Sequence, residues 1–191
     1  KIDEAEGIHW LQDQMAYCYT PLLSQPWILD ADVTVKTLYG KQEGAVVGYN
    51  PHKSGRPSHT YHTYMIANLR LILEVEVQDG DQSSAAYSAP GLWALLDRMP
   101  RTNWPTFIRG DCDWGNDTIM TEAEQRGIDY LFKLRKSPYV KKLILQQHCK
   151  PGWEKTHTGG EALSTKLKLS TWKQPRRVVL VRRRLPENIV I

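Results

Sequence analysis

Acidic residues all but disappear from the last third of this chain. Residues 133–191 hold 3 Asp or Glu against 15 Lys or Arg, a net of +12. Residues 1–132 hold 18 acidic against 10 basic residues, a net of −8, so the overall +4 conceals a division. Such asymmetry points to a polyanionic partner for the basic part, with a merely solvated basic surface as the alternative. Long apolar runs are also missing. No stretch approaches the roughly 18 consecutive apolar residues of a membrane span, and no signal peptide opens the chain. Cysteine is scarce: Cys18, Cys112 and Cys149 are odd in number and scattered, which predicts free thiols in a reducing compartment. There is no internal repeat and no low-complexity tract. No initiator Met precedes "KIDEAEG", and the chain ends on the apolar "NIVI", so both ends read as cut from a longer protein. What remains, 191 residues that are 41% hydrophobic and 24% charged, suits one domain with a real core, or one domain plus a sizeable insertion.

Residues 1–23 carry helical apolar spacing around Ile8, Leu11, Met15 and Tyr19, with Pro21 as the stop. "PWILDADVTV" predicts a strand whose period of two puts Ile28, Asp30, Asp32 and Thr34 on one face. The Gly-, Pro-, His- and Asn-rich stretch from Tyr39 to His62 predicts a loop with one short strand at 45–47. "RLILEVEVQDGD" alternates as a strand. A helix follows, capped by Ser88 with Pro90 in its first turn, its Leu92, Leu95, Leu96 and Met99 at i, i+3, i+4 and i+7. "TFIRGD" reads as a short buried strand, Asn116 to Gly127 as a capped helix, and "IDYLFKLRK" as another strand. Three strands and then helix–strand alternation predict a mixed sheet covered by helices. Beyond Lys136, a helix at 139–147 precedes the basic strands "KLKLSTW" and "RRVVLVRRRL".

Two features stand out against this scaffold. Asp30 and Asp32 share one side of an otherwise apolar strand, which is costly unless they are solvated, paired or metal-bound. "FIRGDCDWGND" ends a strand in Asp111 and Asp113, which are also ordinary turn residues. If the two strands are neighbours, Asp32 and Asp111 converge at one sheet edge. Their mutual repulsion is relieved by hard cations, Mg²⁺ or Mn²⁺, and a pair of such ions serves phosphoryl transfer.

"WILDADVTVKTLYGKQEGAVVGYNP", "GRPSHTYH", "FIRGDCDWGN" and "GIDYLFKLRKSP" together resemble insertion-sequence transposases with a DDE catalytic domain, over roughly residues 26–140. The resemblance implies an α/β fold: a ribonuclease-H-like mixed sheet flanked by helices, with a basic β-rich insertion at the C-terminal end. It divides the chain into an N-terminal helical segment (1–25), a partial catalytic core (26–140) and a truncated insertion (141–191). It implies metal-dependent phosphodiester hydrolysis and strand transfer at insertion-sequence ends, with Asp32 and Asp111 as catalytic, metal-binding residues and Mg²⁺ or Mn²⁺ as cofactor. Asp30 and Asp113 receive no catalytic role. The partner is double-stranded DNA, at transposon ends and target, with a homodimer in the DNA complex and no membrane. The location is the bacterial cytoplasm, on the nucleoid when DNA is bound. A late glutamate completes such sites. Glu122 and Glu124 fall on the wrong helix, and Glu154, Glu161 and Glu187 in loop or strand, so the third acid is expected to be missing and the fragment inactive. Two alternatives stay open: a DNA-binding remnant that no longer cleaves, and a related ribonuclease-H-like nuclease.

With DNA as partner, Lys53 and Arg56 in the loop and Arg176, Arg177, Arg182, Arg183 and Arg184 in the last basic run become the candidate phosphate contacts. His52, His59, His62, His148 and His157 with Cys149 match no zinc pattern and read as loop histidines. Trp93 and Trp104 read as core. For Trp114, packing is favoured over stacking on a base.

Overall fold

The computed structural model describes residues 3–24, 26–50 and 53–183. They fall into two compact units that divide between Leu134 and Arg135. The first opens with helix α1 (Glu4–Tyr19), prolonged by a 3₁₀ turn over Thr20–Ser24. Strand β1 (Ile28–Thr37), the short β2 (Val46–Val47), β3 (Pro57–Ile66) and β4 (Leu71–Asp79) follow. Then come α2 (Ala85–Asp97), β5 (Phe107–Gly110), α3 (Asp117–Gln125) and β6 (Asp129–Phe132). The sheet runs β2-β3-β1-β5-β6, with β4 also on β3. β1, β3 and β4 pair antiparallel, whereas β1, β5 and β6 pair parallel. Three antiparallel strands followed by two parallel ones reached through helices make this the ribonuclease-H-like mixed sheet that the sequence leads one to expect.

The strand from Pro57 to Ile66 corrects the sequence reading. It is not loop but a ten-residue strand between β1 and β4, and it places His59 and His62 in the sheet. Its alternation is strict, yet the inward residues are Ser58, Thr60, His62, Tyr64 and Ile66, so polar groups occupy buried positions. They are mostly satisfied locally. Thr60 Oγ1 donates to Asp79 O at 3.0 Å, His62 Nε2 meets Thr60 Oγ1 at 3.1 Å, and Tyr64 Oη donates to Ser88 O at 2.6 Å. His62 Nδ1 meets the Ser88 hydroxyl. The hydroxyl of Ser58 is the exception, buried without a partner. Burial pushes the His62 pKa down and that of Glu76, which faces the same layer, up.

Helix α2 also begins a turn earlier than its sequence suggests. Ser84 is the N-cap residue, while Ser88 and Pro90 lie inside the helix. Ser88 is fully buried, where its groups serve His62 and Tyr64. On the same helix Leu92, Leu95 and Leu96 are fully buried, each stabilising the fold by about 1.5–3 kcal/mol. They join Leu29, Tyr64, Ile66 and Ile108 from the sheet, Tyr19 from α1, and Ile119 and Ala123 from α3 in one core. All these strand residues point to a single face. On the other face Asp32, Thr34, Val75, Val77, Arg109 and Leu131 are exposed, and none of Tyr61, Thr63 or Met65 is buried. Among the described residues of this unit, helices cover one side of the sheet only.

The second unit holds α4 (Pro138–His148), which Ser137 caps by accepting from the Val140 N–H. An antiparallel sheet of β7 (Glu154–Lys155), β8 (Glu161–Leu167) and β9 (Arg176–Arg182) follows. β8 therefore begins five residues before "KLKLSTW", and only the first residues of that stretch lie in it.

Candidate active site

β1 and β5 run parallel in the register Ile28↔Phe107, Leu29↔Ile108, Asp30↔Arg109 and Ala31↔Gly110. The next residue on each chain segment is Asp32 and Asp111, and both are exposed. Two carboxylates thus leave neighbouring chain segments at the same level, Asp32 from the middle of β1 and Asp111 from just past the end of β5. On its other side Asp32 pairs with Thr63 of β3, whose hydroxyl donates to Asp32 O at 3.3 Å.

The turn after β5 shows why Asp and Gly crowd together there. Asp111 Oδ1 accepts from the Asp113 N–H at 2.9 Å, an Asx turn that fixes the Asp111 side chain to its own loop. Asp113 Oδ2 in turn accepts from the Ala85 N–H at 3.0 Å and so caps α2, where a carboxylate also complements the helix dipole. Asn116 Nδ2 donates to Asp113 O at 2.9 Å, and Asn116 Oδ1 caps α3 through the Ile119 N–H at 3.1 Å. Trp114 is core, 1% exposed and tilted against Phe132 at 6.0 Å between centroids. Its indole lies over Gly110: a Cβ there would come within 2.6 Å of Trp114 Cγ. Within "GDCDWGN", Gly110, Asp111, Asp113, Trp114 and Asn116 are thus all bound up in holding the turn.

Asp30 is likewise accounted for. Arg109 donates from Nε and a terminal nitrogen to its two carboxylate oxygens, both at 2.5 Å, and this hydrogen bonding raises the Arg109 pKa. The fork neutralises Asp30 and leaves Asp32 and Asp111 as the uncompensated pair on that edge. Sequence reading missed Arg109, although its signal was present: Asp30 and Arg109 each stand two residues before the aspartate that follows on their own segment.

The donor chemistry suits a hard divalent cation, since both groups are solvated carboxylates at a rigid sheet edge. They form a pair only. Among the described residues no three His, Cys, Asp or Glu side chains converge to hold a metal ion. Glu122 is tied to Arg126 at 2.6 Å, and Glu124 accepts from Tyr130 Oη at 2.6 Å. Glu154 and Glu161 lie on strands of the second unit.

The candidate cations separate into distinct groups. Lys53 is exposed, bonded to the Tyr39 hydroxyl and 5.0 Å from the centre of that ring, and it pulls the phenol pKa down. Arg56 is exposed beside it. Arg176, expected among the phosphate contacts, is buried against Trp172. Arg182 is bound to Glu161 Oε2 at 2.8 Å and to His148 O at 2.7 Å, and its guanidinium lies 4.0 Å over the Trp153 ring. Arg177 and Arg183 are exposed. Arg184, like His52 and Glu187, lies outside the described residues. No helix among them is long and apolar enough to cross a membrane.

Comparison with known proteins fits this arrangement. No curated protein matches the chain. Among solved structures, the piggyBac transposase synaptic complex with hairpin DNA aligns with a TM-score of 0.42 and 11% identity, over 82% of this chain and 33% of that one. The Mos1 mariner paired-end complex with Mn aligns with a TM-score of 0.36 and 12% identity, over 78% and 56%. The simian T-cell lymphotropic virus intasome with PP2A regulatory subunit B56 gamma gives 0.38 and 10%, over 65% and 43%. The chain therefore spans from a third to little more than half of these proteins. The family described as Transposase DDE domain group 1 matches residues 5–190, nearly the whole chain. The chain belongs to that family of transposase DDE domains.

Proposed function

We propose that Asp32 and Asp111 are two catalytic carboxylates of a DNA transposase that hydrolyses a phosphodiester at insertion-sequence ends and then joins the freed 3′-hydroxyl to target DNA. The observation that carries this reading is the parallel β1–β5 register, which sets both aspartates one residue beyond the paired Ala31 and Gly110, on the same face of the sheet. Held there, Mg²⁺ or Mn²⁺ supplies an activated water and charge neutralisation at the leaving oxygen. The chain's own contribution is placement. Asp111 is fixed by its Asx turn, Asp32 by its pairing with Thr63 of β3, and Arg109 keeps Asp30 from competing for the cation. In hydrolysis the water oxygen attacks phosphorus, the P–O3′ bond breaks and its electron pair leaves with the 3′-oxygen. In strand transfer that 3′-hydroxyl is the attacking group. Duplex DNA, at both transposon end and target, is the substrate, with a homodimer assembling on it. Lys53, Arg56 and the outward cations of the basic unit, Arg177 and Arg183, extend the contact, and Arg184 is assigned with them from sequence.

Because the described residues provide two acids rather than three, residues 1–191 alone bind Mn²⁺ weakly and do not cut DNA. The test is Mn²⁺ titration of the chain followed by electron paramagnetic resonance. Asp32→Asn or Asp111→Asn abolishes the residual binding while duplex binding stays within about twofold, since neither residue is a cation that neutralises phosphate. Unchanged Mn²⁺ binding in both variants sinks the assignment. Vigorous metal-dependent cleavage by the short chain would show that a third ligand is present after all.

A further inference from the structure

The basic run of β9 sorts by strand alternation into two kinds of residue. Arg176, Val178, Leu180 and Arg182 turn inward, where Arg176 is buried and Arg182 is committed to Glu161, His148 and Trp153. Arg177, Val179, Val181 and Arg183 turn outward and are exposed. On β8, Ser164 and Lys166 share that outward face. The register then produces an anomaly: Lys166 lies directly opposite Arg177. Like charges placed directly across a ladder destabilise it. Among the described residues neither has a carboxylate partner, and Arg177 donates only to Ser164 Oγ, at 2.8 Å. Among the described residues Glu154 is the one acid on the strands of this face, and it stands by Ala162, two ladder positions beyond Ser164.

Inward arginines with aromatic and carboxylate partners are structural. An outward pair of cations in register, with no carboxylate partner among the described residues, is a repulsion that an anion between them would convert to attraction. We propose that the outward face of the β8–β9 hairpin is a docking surface for the backbone of duplex DNA, with Lys166 and Arg177 reaching neighbouring phosphates and Arg183 a further phosphate on the same strand. The six residue steps from Arg177 to Arg183 span about 20 Å of extended chain, roughly six phosphates at 3.4 Å per nucleotide. Between the cations lie Val179 and Val181, 46% and 63% exposed, which offer no hydrogen bonds to base edges. The surface therefore grips without reading sequence. Lys166 was not among the cations singled out from the sequence, because its importance comes from the residue opposite.

The proposal rests on the reading that the chain handles DNA, and binding is measured without divalent ions so that catalysis does not enter. Fluorescence anisotropy with random-sequence duplex, from 50 to 200 mM salt, compares the chain with Lys166→Ala/Arg177→Ala and, as a matched charge control, with Lys141→Ala/Lys142→Ala on α4. Losing two phosphate contacts reduces the slope of log affinity against log salt by roughly 1.8, and the affinity at 0.1 M salt by about 60-fold, equally for unrelated sequences. The α4 control keeps most of the slope. An equal loss in both double variants overturns the surface in favour of diffuse charge. No loss in Lys166→Ala/Arg177→Ala, preference for single strands, or no duplex binding by the parent chain also overturns it. The first two of these results leave the assignment of Asp32 and Asp111 untouched, and Mn²⁺ binding tests that separately. Far-ultraviolet circular dichroism verifies that each variant is folded, and Lys166→Gln/Arg177→Gln repeats the test with more stem retained.

Discussion

Replacing Gly110 with alanine tests whether the turn that carries Asp111 is built as described. The added Cβ would fall 2.6 Å from Cγ, 2.8 Å from Cδ1 and 2.9 Å from Cβ of Trp114. Carbon atoms in contact sit about 3.5–4.0 Å apart, so close to 1 Å of overlap must be removed. The clashing atoms are the root of the indole, which no side-chain rotation carries away. Trp114 is 1% exposed, lies against Phe132, and has its carbonyl held by the Asn116 N–H at 2.9 Å. Overpacking of a well-filled core costs about 1–3 kcal/mol, and immobility of the ring puts this case at about 2–3 kcal/mol. For a chain of this size that corresponds to a fall in Tm of roughly 4–12 °C. Thermal and urea unfolding followed by circular dichroism give the number. Trp114→Leu alone costs about 3–5 kcal/mol through its cavity. Combined with Gly110→Ala it costs less than the sum, because the extra methyl enters space the indole vacated. A Gly110→Ala protein within about 0.5 kcal/mol of the parent, or strictly additive effects in the double variant, refutes the packing argument.

Two other substitutions probe neighbouring claims. Asp113→Ala removes a cap from α2 and lowers stability by about 0.5–2 kcal/mol, yet leaves Mn²⁺ affinity unchanged, whereas loss of Mn²⁺ binding would make Asp113 a ligand. His62 gives the fold an acid sensitivity. Its folded pKa lies below the unfolded value near 6.5, so below that pH the unfolded chain binds more protons and stability falls as pH drops. His62→Gln makes urea midpoints between pH 7 and 5 less steep, and parallel profiles for the two proteins would assign the acid loss to other groups.

How far the sequence discloses this molecule depends on what each segment buries. β1, β5 and α3 bury apolar residues at the period of their element, and their places follow from Leu29, Ile108, Ile119 and Ala123, while β6 half-buries Tyr130 and Phe132 at period two. β3 alternates just as strictly, but with Ser58, Thr60 and His62 inside, so its pattern is invisible to a hydrophobicity argument. α2 starts early because Asp113, 28 residues downstream, provides the capping carboxylate that Ser88 had been expected to replace. Asp32 and Asp111 are legible as charged exceptions on or just after apolar strands, but their adjacency rests on the β1–β5 pairing. The neutral role of Asp30 is not legible, because it depends on a register that only the folded sheet defines. Nor does composition separate Arg176 and Arg182 from Arg177 and Arg183, since the distinction arises from the side of the hairpin each faces.

The one-sided covering of the first unit's sheet has a further consequence. Asp32 and Arg109 stand on the uncovered face with Val75, Val77 and Leu131, on an open plane rather than in a cleft. Within this unit, no described helix lies over the plane that carries Asp32. Both aspartates are exposed to solvent, where water screens charge strongly. Under the proposed function, the exclusion of water that strengthens charge interactions at a reacting phosphate falls to the bound nucleic acid.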